Sequence, residues 1–347
     1  MNWDDFYKSI KAGDYQNLYL FTGPEEWNKR EALNALRKAI LPIGLEQLNE
    51  VVLEGCSAQA IIDAAETLPV MCERRIVVVR DWGPLLSGKA KNEEQDVERI
   101  TEWMKDMPES CILIFYLTVE ADARKKLTKA LKGKDGYVEF AYLSGSLLLK
   151  WCNQQLKPYN KKIRPDALAE MNMMAGQELT RLHAELGKLA SYTGEHAEIL
   201  VEDVRTVVSP SAEYSVFVIL DKLLEGNLTE ATLAANAALM SVPSPVRLIS
   251  MFANQLRIDA HMKLTLESNG SMPETLKALN INEYRSKYIL RQIKSIPAKK
   301  LQECYLLCVE TDYAIKSGSI KDKAALDSLM LKIAAQFRSN QNRRRSV

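Results

Sequence analysis

The pattern of hydrophobic positions changes at about residue 144. Before it, short β-rich runs alternate with amphipathic stretches of helical period, which is typical of a parallel α/β sheet. Two runs, Ile76–Val79 and Cys111–Phe115, are continuously apolar, as expected of central strands that helices cover on both faces. The strands that the pattern predicts are Asn17–Thr22, Asn49–Leu53, Arg75–Arg80, Cys111–Leu117 and Tyr137–Ala141.

After residue 144, helical periodicity replaces the strand signal. Prolines and glycines divide a first set of short helices, and Ser209–Glu213 is predicted to be a connector with a helix N-cap. Longer amphipathic stretches follow at Tyr214–Glu225, Thr229–Met240, Pro245–Ser268, Glu283–Ser295, Ala298–Ser317 and Asp322–Arg338. We therefore predict an α/β plus all-α protein, with an α/β domain at 1–143, a small helical domain at 144–210, a larger helical domain at 211–338 and a basic tail at 339–347.

Charge narrows the classes of function. The 46 basic and 45 acidic residues leave a net charge of +1, which excludes a protein that coats nucleic acid wholesale. The balance is uneven, because residues 1–143 carry a net charge of −5 and residues 285–347 one of +9. No apolar run reaches the ~18 residues of a membrane span, and Met1–Phe6 does not begin a signal peptide. We predict a cytoplasmic protein that does not associate with a membrane.

The end of the first predicted strand raises the question of a nucleotide site. A phosphate-binding loop reads Gly-x-x-x-x-Gly-Lys-Ser/Thr, in which the last hydroxyl ligates magnesium. Gly23 and Lys29 stand at the first glycine and the lysine, but Asn28 replaces the second glycine and Arg30 the hydroxyl residue. Two glutamates also lie where phosphates would bind, which is electrostatically adverse. We predict that the loop does not hydrolyse ATP and that Lys29 is a solvated side chain.

We predict no other catalytic residue, no cofactor and no metal site. Asp81 follows the third strand, where an active nucleotidase of this topology has an Asp-Glu pair, so we interpret it as a turn residue. The three histidines are far apart, and no Cys-x-x-Cys pair is present. Cys304 and Cys308 share a helix face without a further ligand and are interpreted as core thiols.

An apolar turn, Thr67–Arg75, precedes the third strand. Turns favour Gly, Asn, Asp and Ser, yet this one carries Leu68, Val70 and Met71 around Pro69. Two interpretations are open. The side chains pack beneath the sheet as core, or they form a hydrophobic plug that docks in a pocket of a partner, with methionine as an adaptable contact.

Four groups of segments lie in order over nearly the whole chain. They are Leu18–Glu26, Thr67–Met71 followed by Arg74–Val79, Gly176–Leu189, and Ser209–Glu213 leading into Val216–Phe217 and Gly226–Leu228. In combination, these segments resemble the delta subunits of the bacterial DNA polymerase III clamp loader.

The resemblance implies an AAA+-like sheet domain, a small lid domain and a C-terminal helical collar, in a subunit without its own ATP site. It implies that Leu68, Val70 and Met71 bind the sliding clamp (the beta ring), which the subunit opens for loading onto primed DNA during replication. The family's turn can carry an aromatic residue where this chain has Met71. The collar would assemble with the ATP-binding tau/gamma subunits and with delta-prime, within the DNA polymerase III holoenzyme, a nucleotidyltransferase.

Two other functions stay open at this point. One is a P-loop-type ATPase with an unusual loop, in which Lys29 and Asp81 still bind Mg-ATP. The other is a DNA-binding module built on the basic C-terminal segment, including Arg343–Arg345, unless that run is a solvated tail.

Overall fold

The computed structural model describes residues 3–88, 93–133, 135–281 and 283–344. The chain divides into two compact units. Unit 1 comprises Met1–Leu143 and Glu178–Thr180, and unit 2 comprises Ser144–Gln177 and Arg181–Val347. The further division into a lid and a collar at residue 210 stays a prediction.

A parallel sheet forms the centre of unit 1. Its strands are β1 (Leu18–Thr22), β2 (Glu50–Glu54), β3 (Arg75–Arg80), β4 (Cys111–Tyr116) and β5 (Tyr137–Glu139). In the described residues the sheet has five strands, in the order β2-β3-β4-β1-β5, and every neighbouring pair is parallel. The predicted strands are confirmed, with ends that agree within two residues.

The two faces of this sheet carry separate hydrophobic cores. The helices of unit 1 are α1 (Trp3–Ala12), α2 (Glu26–Ile40), α3 (Glu46–Asn49), α4 (Ala58–Glu66), α5 (Glu93–Trp103) and α6 (Lys126–Lys132). Val77 and Val79 belong to the core that α4, α5 and α6 cover, whereas Ile76 and Val78 belong to the core beneath α1 and α2. Successive side chains of a strand point to opposite faces, so a strand covered on both sides is apolar throughout.

Unit 2 is mainly helical. Its helices are α7 (Gly145–Leu156), α8 (Pro165–Ala175), α9 (Leu179–Tyr192, whose first two residues group with unit 1), α10 (Val201–Val207), α11 (Ala212–Leu224), α12 (Leu228–Ser241), α13 (Pro245–Glu267), α14 (Met272–Ala278), α15 (Glu283–Ile293), α16 (Ala298–Lys316) and α17 (Asp322–Arg344). Ser211 is the N-cap of α11, as predicted, and its hydroxyl accepts a hydrogen bond from the Tyr214 amide at 3.1 Å. Cys304 and Cys308 lie in the core of the later helices, where burial raises the pKa of each thiol to about 12. None of the described helices is long and apolar enough to cross a bilayer.

Three features of unit 2 differ from the sequence prediction. Two short parallel strands, β6 (Lys162–Ile163) and β7 (Glu198–Ile199), lie in a region predicted to be all helical. Two residues are too few for an alternating pattern to be visible. The sequence does not predict helix α14, because its 7 residues are fewer than the ~11 over which a helical period shows, although Met272 and Leu276 pack, partly buried, against the core. The last helix continues to Arg344, whereas the sequence predicts that it ends at Arg338 and that a basic tail begins at residue 339. Arg345 lies outside the described residues.

Candidate functional site: an exposed apolar turn

The apolar turn joins α4 to β3 at the amino-terminal edge of the sheet. Leu68 is 77% exposed, Val70 43% and Met71 84%. None of the three belongs to either core of unit 1. The interpretation of these side chains as core is therefore wrong, and an apolar surface is available at this edge.

Local backbone geometry turns the chain outward here. Helix α4 ends at Glu66, and Thr67 after it is extended, with φ −64° and ψ 126°. Pro69 restricts the residue before it to an extended backbone as well, so the chain leaves the helix without continuing its winding. Met71 has a φ of +55°, in the left-handed region that a residue with a Cβ enters at a cost of about 1 kcal/mol. This residue reverses the chain toward β3.

A buried asparagine holds the middle of the turn. Asn49, the last residue of α3, is fully buried. Its Nδ2 donates to the carbonyl oxygen of Val70 at 2.9 Å, and its Oδ1 accepts from the amide of Val70 at 2.6 Å. Arg75 holds the start of the turn, because its Nη1 donates to the carbonyl oxygen of Thr67 at 3.0 Å. Sequence reasoning missed Asn49, since it marked only a predicted strand end and its partner lies 21 residues away.

The opposite edge of the sheet carries the loop that resembles a phosphate-binding loop. Gly23 has a φ of +112°, and a Cβ at this position would lie 2.4 Å from the carbonyl oxygen of Phe140. The Glu25 amide donates to the same oxygen at 3.0 Å. The loop is therefore packed against the chain that follows β5, and only glycine fits at its first position.

The carboxylate of Glu25 caps the helix that a phosphate would otherwise face. Glu25 is fully buried and is the N-cap of α2, where its Oε1 accepts from the amide of Trp27 at 2.9 Å. Its Oε2 accepts from the amide of Leu179 at 3.3 Å. Desolvation on burial raises the pKa of this carboxyl to about 7, against the lowering effect of the two backbone donors. Phosphates bind helix N-termini through such amides, and at α2 the Glu25 side chain accepts from one of them, the amide of Trp27.

The prediction that Lys29 is solvated is wrong. Its side chain is 0% exposed, and its Nζ donates to the carbonyl oxygen of Leu117 at the end of β4. Nζ also lies 3.2 Å from Oε2 of Glu26 and 5.5 Å from the ring centroid of Tyr116. Desolvation on burial lowers the pKa of this ammonium. The lysine is buried because the end of β4, far away in sequence, supplies an acceptor for it.

Asp81 lies at the same edge as a strand-end turn residue, as predicted. It has a φ of +43°, and its Oδ1 accepts from the amide of Thr118 at 2.8 Å. Lys29 and Asp81 thus lie close together, because their hydrogen-bond partners, Leu117 and Thr118, are adjacent in the chain. Both side chains are bonded to main-chain groups of the protein. Among the described residues, no group of three His, Cys, Asp or Glu side chains is close enough to hold a metal ion.

Comparisons with known proteins point to the same family over most of the chain. A model of the family described as DNA polymerase III, delta subunit, matches residues 19–141, and a model of the C-terminal domain of that subunit matches residues 213–333. DNA polymerase III subunit delta of Bacillus subtilis (strain 168) is 26% identical over 333 residues, which are 94% of this chain and 95% of that protein. A solved structure of the Bacillus subtilis DNA clamp loader delta protein is 23% identical, with a TM-score of 0.67, and the match covers 96% of this chain and 99% of that one.

The two family models together span the sheet with its apolar turn and most of the later helices. The structural likeness extends over nearly the whole chain and confirms the predicted fold class, an AAA+-like parallel sheet followed by helical parts. The chain therefore belongs to the family of DNA polymerase III delta subunits of the clamp loader.

Proposed function

We propose that this chain binds the sliding clamp through the apolar turn and favours an open ring that can be loaded onto primed DNA. The observation that carries the proposal is the exposure of Leu68, Val70 and Met71 on a turn whose backbone is tethered, in a chain of this family. Exposed apolar side chains held together at one edge are the usual features of a docking surface.

The free energy of such docking can favour one state of a ring over another, provided that the two states are bound with different affinity. Burying an apolar side chain of this size contributes ~1.5–3 kcal/mol. The subunit opens the ring only by as much as it binds the open form better than the closed one. Leu68 and Met71 have the largest exposed fractions in the turn, so they are the expected hot spots.

We propose further that the chain does not hydrolyse ATP and depends on ATP-binding subunits. The Glu25 carboxylate accepts a hydrogen bond from the Trp27 amide at the N-terminus of α2, and the Nζ of Lys29 donates to the carbonyl oxygen of Leu117. Arg30 stands where a hydroxyl would ligate magnesium. ATP binding in the rival function, a P-loop-type ATPase, requires both buried side chains to leave their partners. Calorimetric titration of the isolated chain with Mg-ATP tests this, and micromolar binding would contradict it.

The helices from residue 211 onward are the proposed collar that assembles with the ATP-binding tau/gamma subunits and with delta-prime. In α16, Leu306, Val309 and Tyr313 are exposed at a spacing that puts them on one helix face. An apolar face of this kind is typical of a contact between subunits. We expect the assembly to act in the cytoplasm, where the bacterial chromosome is copied, and to hold primed DNA.

Titration of the sliding clamp against the Leu68→Ala/Met71→Ala double variant tests the proposal. We expect the Kd to rise by a factor of about 150 or more, from ~1.5–3 kcal/mol lost at each position. Val119→Ala is the matched control, since Val119 is exposed but follows β4 at the opposite edge of the sheet. Unchanged affinity of the double variant would overturn the assignment.

A further inference from the structure

We infer that Asn49 is a positioning residue for clamp binding, one that holds the apolar turn in its docking conformation without contacting the clamp. The inference rests on the proposed function. Asn49 is fully buried, and the three hydrogen bonds described for its side-chain amide all join it to main-chain groups. Two of those bonds go to a single residue of the turn, Val70.

The paired bonds fix the orientation of the peptide groups at Val70. An amide side chain donates and accepts at the same time, as the backbone of a neighbouring strand does. Both polar groups of Val70 are thereby satisfied inside the protein, at 2.9 and 2.6 Å. Leu68 and Met71 lie on either side of this fixed residue, so their directions are set by it.

Without these bonds, none of the side-chain hydrogen bonds described for the chain would hold Val70 at the centre of the turn. Exposed apolar side chains gain free energy by covering one another or by folding onto the sheet edge. Leu68 and Met71 are largely exposed. The other side-chain hydrogen bonds described for the turn involve residues nearer its two ends, from Arg75 to Thr67, from Thr67 to Asp63, from Cys72 to Arg74 and from Arg74 to Asn17. The turn would then have to be ordered on binding, which weakens affinity even though every contacting side chain is present.

Asn49 is itself fixed by a rigid surrounding. Its Nδ2 also donates to the carbonyl oxygen of Leu45, the N-cap residue of α3, at 3.1 Å. The next residue, Glu50, is held by Arg37 of α2 through two hydrogen bonds, one of them from Nε at 2.7 Å. Arg37 of α2 thus holds Glu50 at the start of β2, and the neighbouring Asn49 holds Val70 of the turn.

The test compares clamp affinity in the full chain with Asn49→Ala and Asn49→Ser, at a temperature well below the melting point of each variant. We expect Asn49→Ala to raise the Kd for the sliding clamp about tenfold. Asn49→Ser keeps a short hydroxyl acceptor and should fall between Asn49→Ala and the unmodified chain. Hydrogen exchange of the Val70 amide should accelerate in both variants, while that of Val51 in β2 stays unchanged. Assembly with the ATP-binding subunits should also be unaffected.

The outcomes separate this inference from the proposed function. If the Leu68→Ala/Met71→Ala variant binds the clamp normally, the proposed function is wrong. If that double variant loses affinity while both Asn49 variants keep it, the proposed function stands and the positioning role is wrong. If Asn49→Ala melts below the assay temperature, Asn49→Ser decides alone, and normal affinity with accelerated Val70 exchange overturns the inference.

Discussion

The Nζ of Lys29 donates a hydrogen bond to the carbonyl oxygen of Leu117 at 2.5 Å, in the interior of unit 1. In an active phosphate-binding loop the equivalent lysine reaches the phosphates of the nucleotide. Here it donates to the main chain just after the carboxyl end of β4, and desolvation on burial lowers the pKa of its ammonium group. The lysine has become part of the packing of the sheet domain, at the edge opposite the apolar turn.

Replacing this lysine should change stability and leave clamp binding intact. Lys29→Met keeps the length of the side chain but leaves the carbonyl oxygen of Leu117 without its donor. An unsatisfied buried polar group costs about 1–3 kcal/mol, so the free energy of unfolding should fall by that amount. Urea denaturation measures the loss, and a clamp titration should give a Kd within about twofold of the unmodified chain. A large loss of clamp affinity in a folded variant would contradict this separation.

Met71 combines a strained backbone with an exposed contact, and Met71→Gly separates the two. Glycine adopts the φ of +55° without strain but loses more entropy on folding, so the free energy of unfolding should change by less than about 1 kcal/mol. The lost side chain should weaken clamp binding about tenfold or more. Met240→Ala is the control, because Met240 is an equally exposed methionine in α12. A Kd within twofold for Met71→Gly would exclude this side chain from the interface.

The sheet was predictable from the sequence because burial on both faces leaves a strong local signal. β3 and β4 are apolar at every interior position, as expected of strands that helices cover on both faces. The identity of the apolar turn was predictable as well. Its exposure was not, because apolar residues in a turn fit both a buried and a docking role, and only tertiary packing decides between them.

The features that sequence reasoning missed depend on distant partners. Asn49 acquires its role from Val70, and Lys29 is buried because Leu117, 88 residues away, supplies its acceptor. Strands β6 and β7 are stabilised by each other and are too short to show a period. In each case the determining contact is absent from the local pattern.

Glu25 should make stability fall as the pH rises. The pKa of this carboxyl is about 7 in the folded chain, raised from its ordinary value of 4.5 mainly by desolvation on burial. Between these values the folded state holds a proton that the unfolded state releases. The stability that Glu25 contributes is therefore fully present below about pH 4.5 and is lost as the pH rises through 7.

Glu25→Gln removes this titration. The free energy of unfolding of the variant, minus that of the unmodified chain, should rise by about 2–3 kcal/mol between pH 5 and pH 8. Urea denaturation at each pH measures it. Asp259, whose pKa burial also raises to about 7, titrates in both chains and cancels from the difference. A difference that stays flat or falls over this range would mean that the pKa of Glu25 is not raised.

Cys72 provides a direct footprint of the apolar turn. It lies within the turn and is a partly exposed free thiol, as is Cys56, which follows β2 at the opposite edge of the sheet. If the turn docks on the clamp, alkylation of Cys72 by iodoacetamide should slow when the clamp is added. At 90% occupancy only the free fraction reacts, so the rate should fall about tenfold, while that of Cys56 stays unchanged. Peptide mass spectrometry measures both rates in one sample. The Leu68→Ala/Met71→Ala variant should restore the original rate of Cys72 alkylation at the same clamp concentration. Equal slowing of the two thiols, or no slowing of Cys72 at saturating clamp, would place the interface elsewhere.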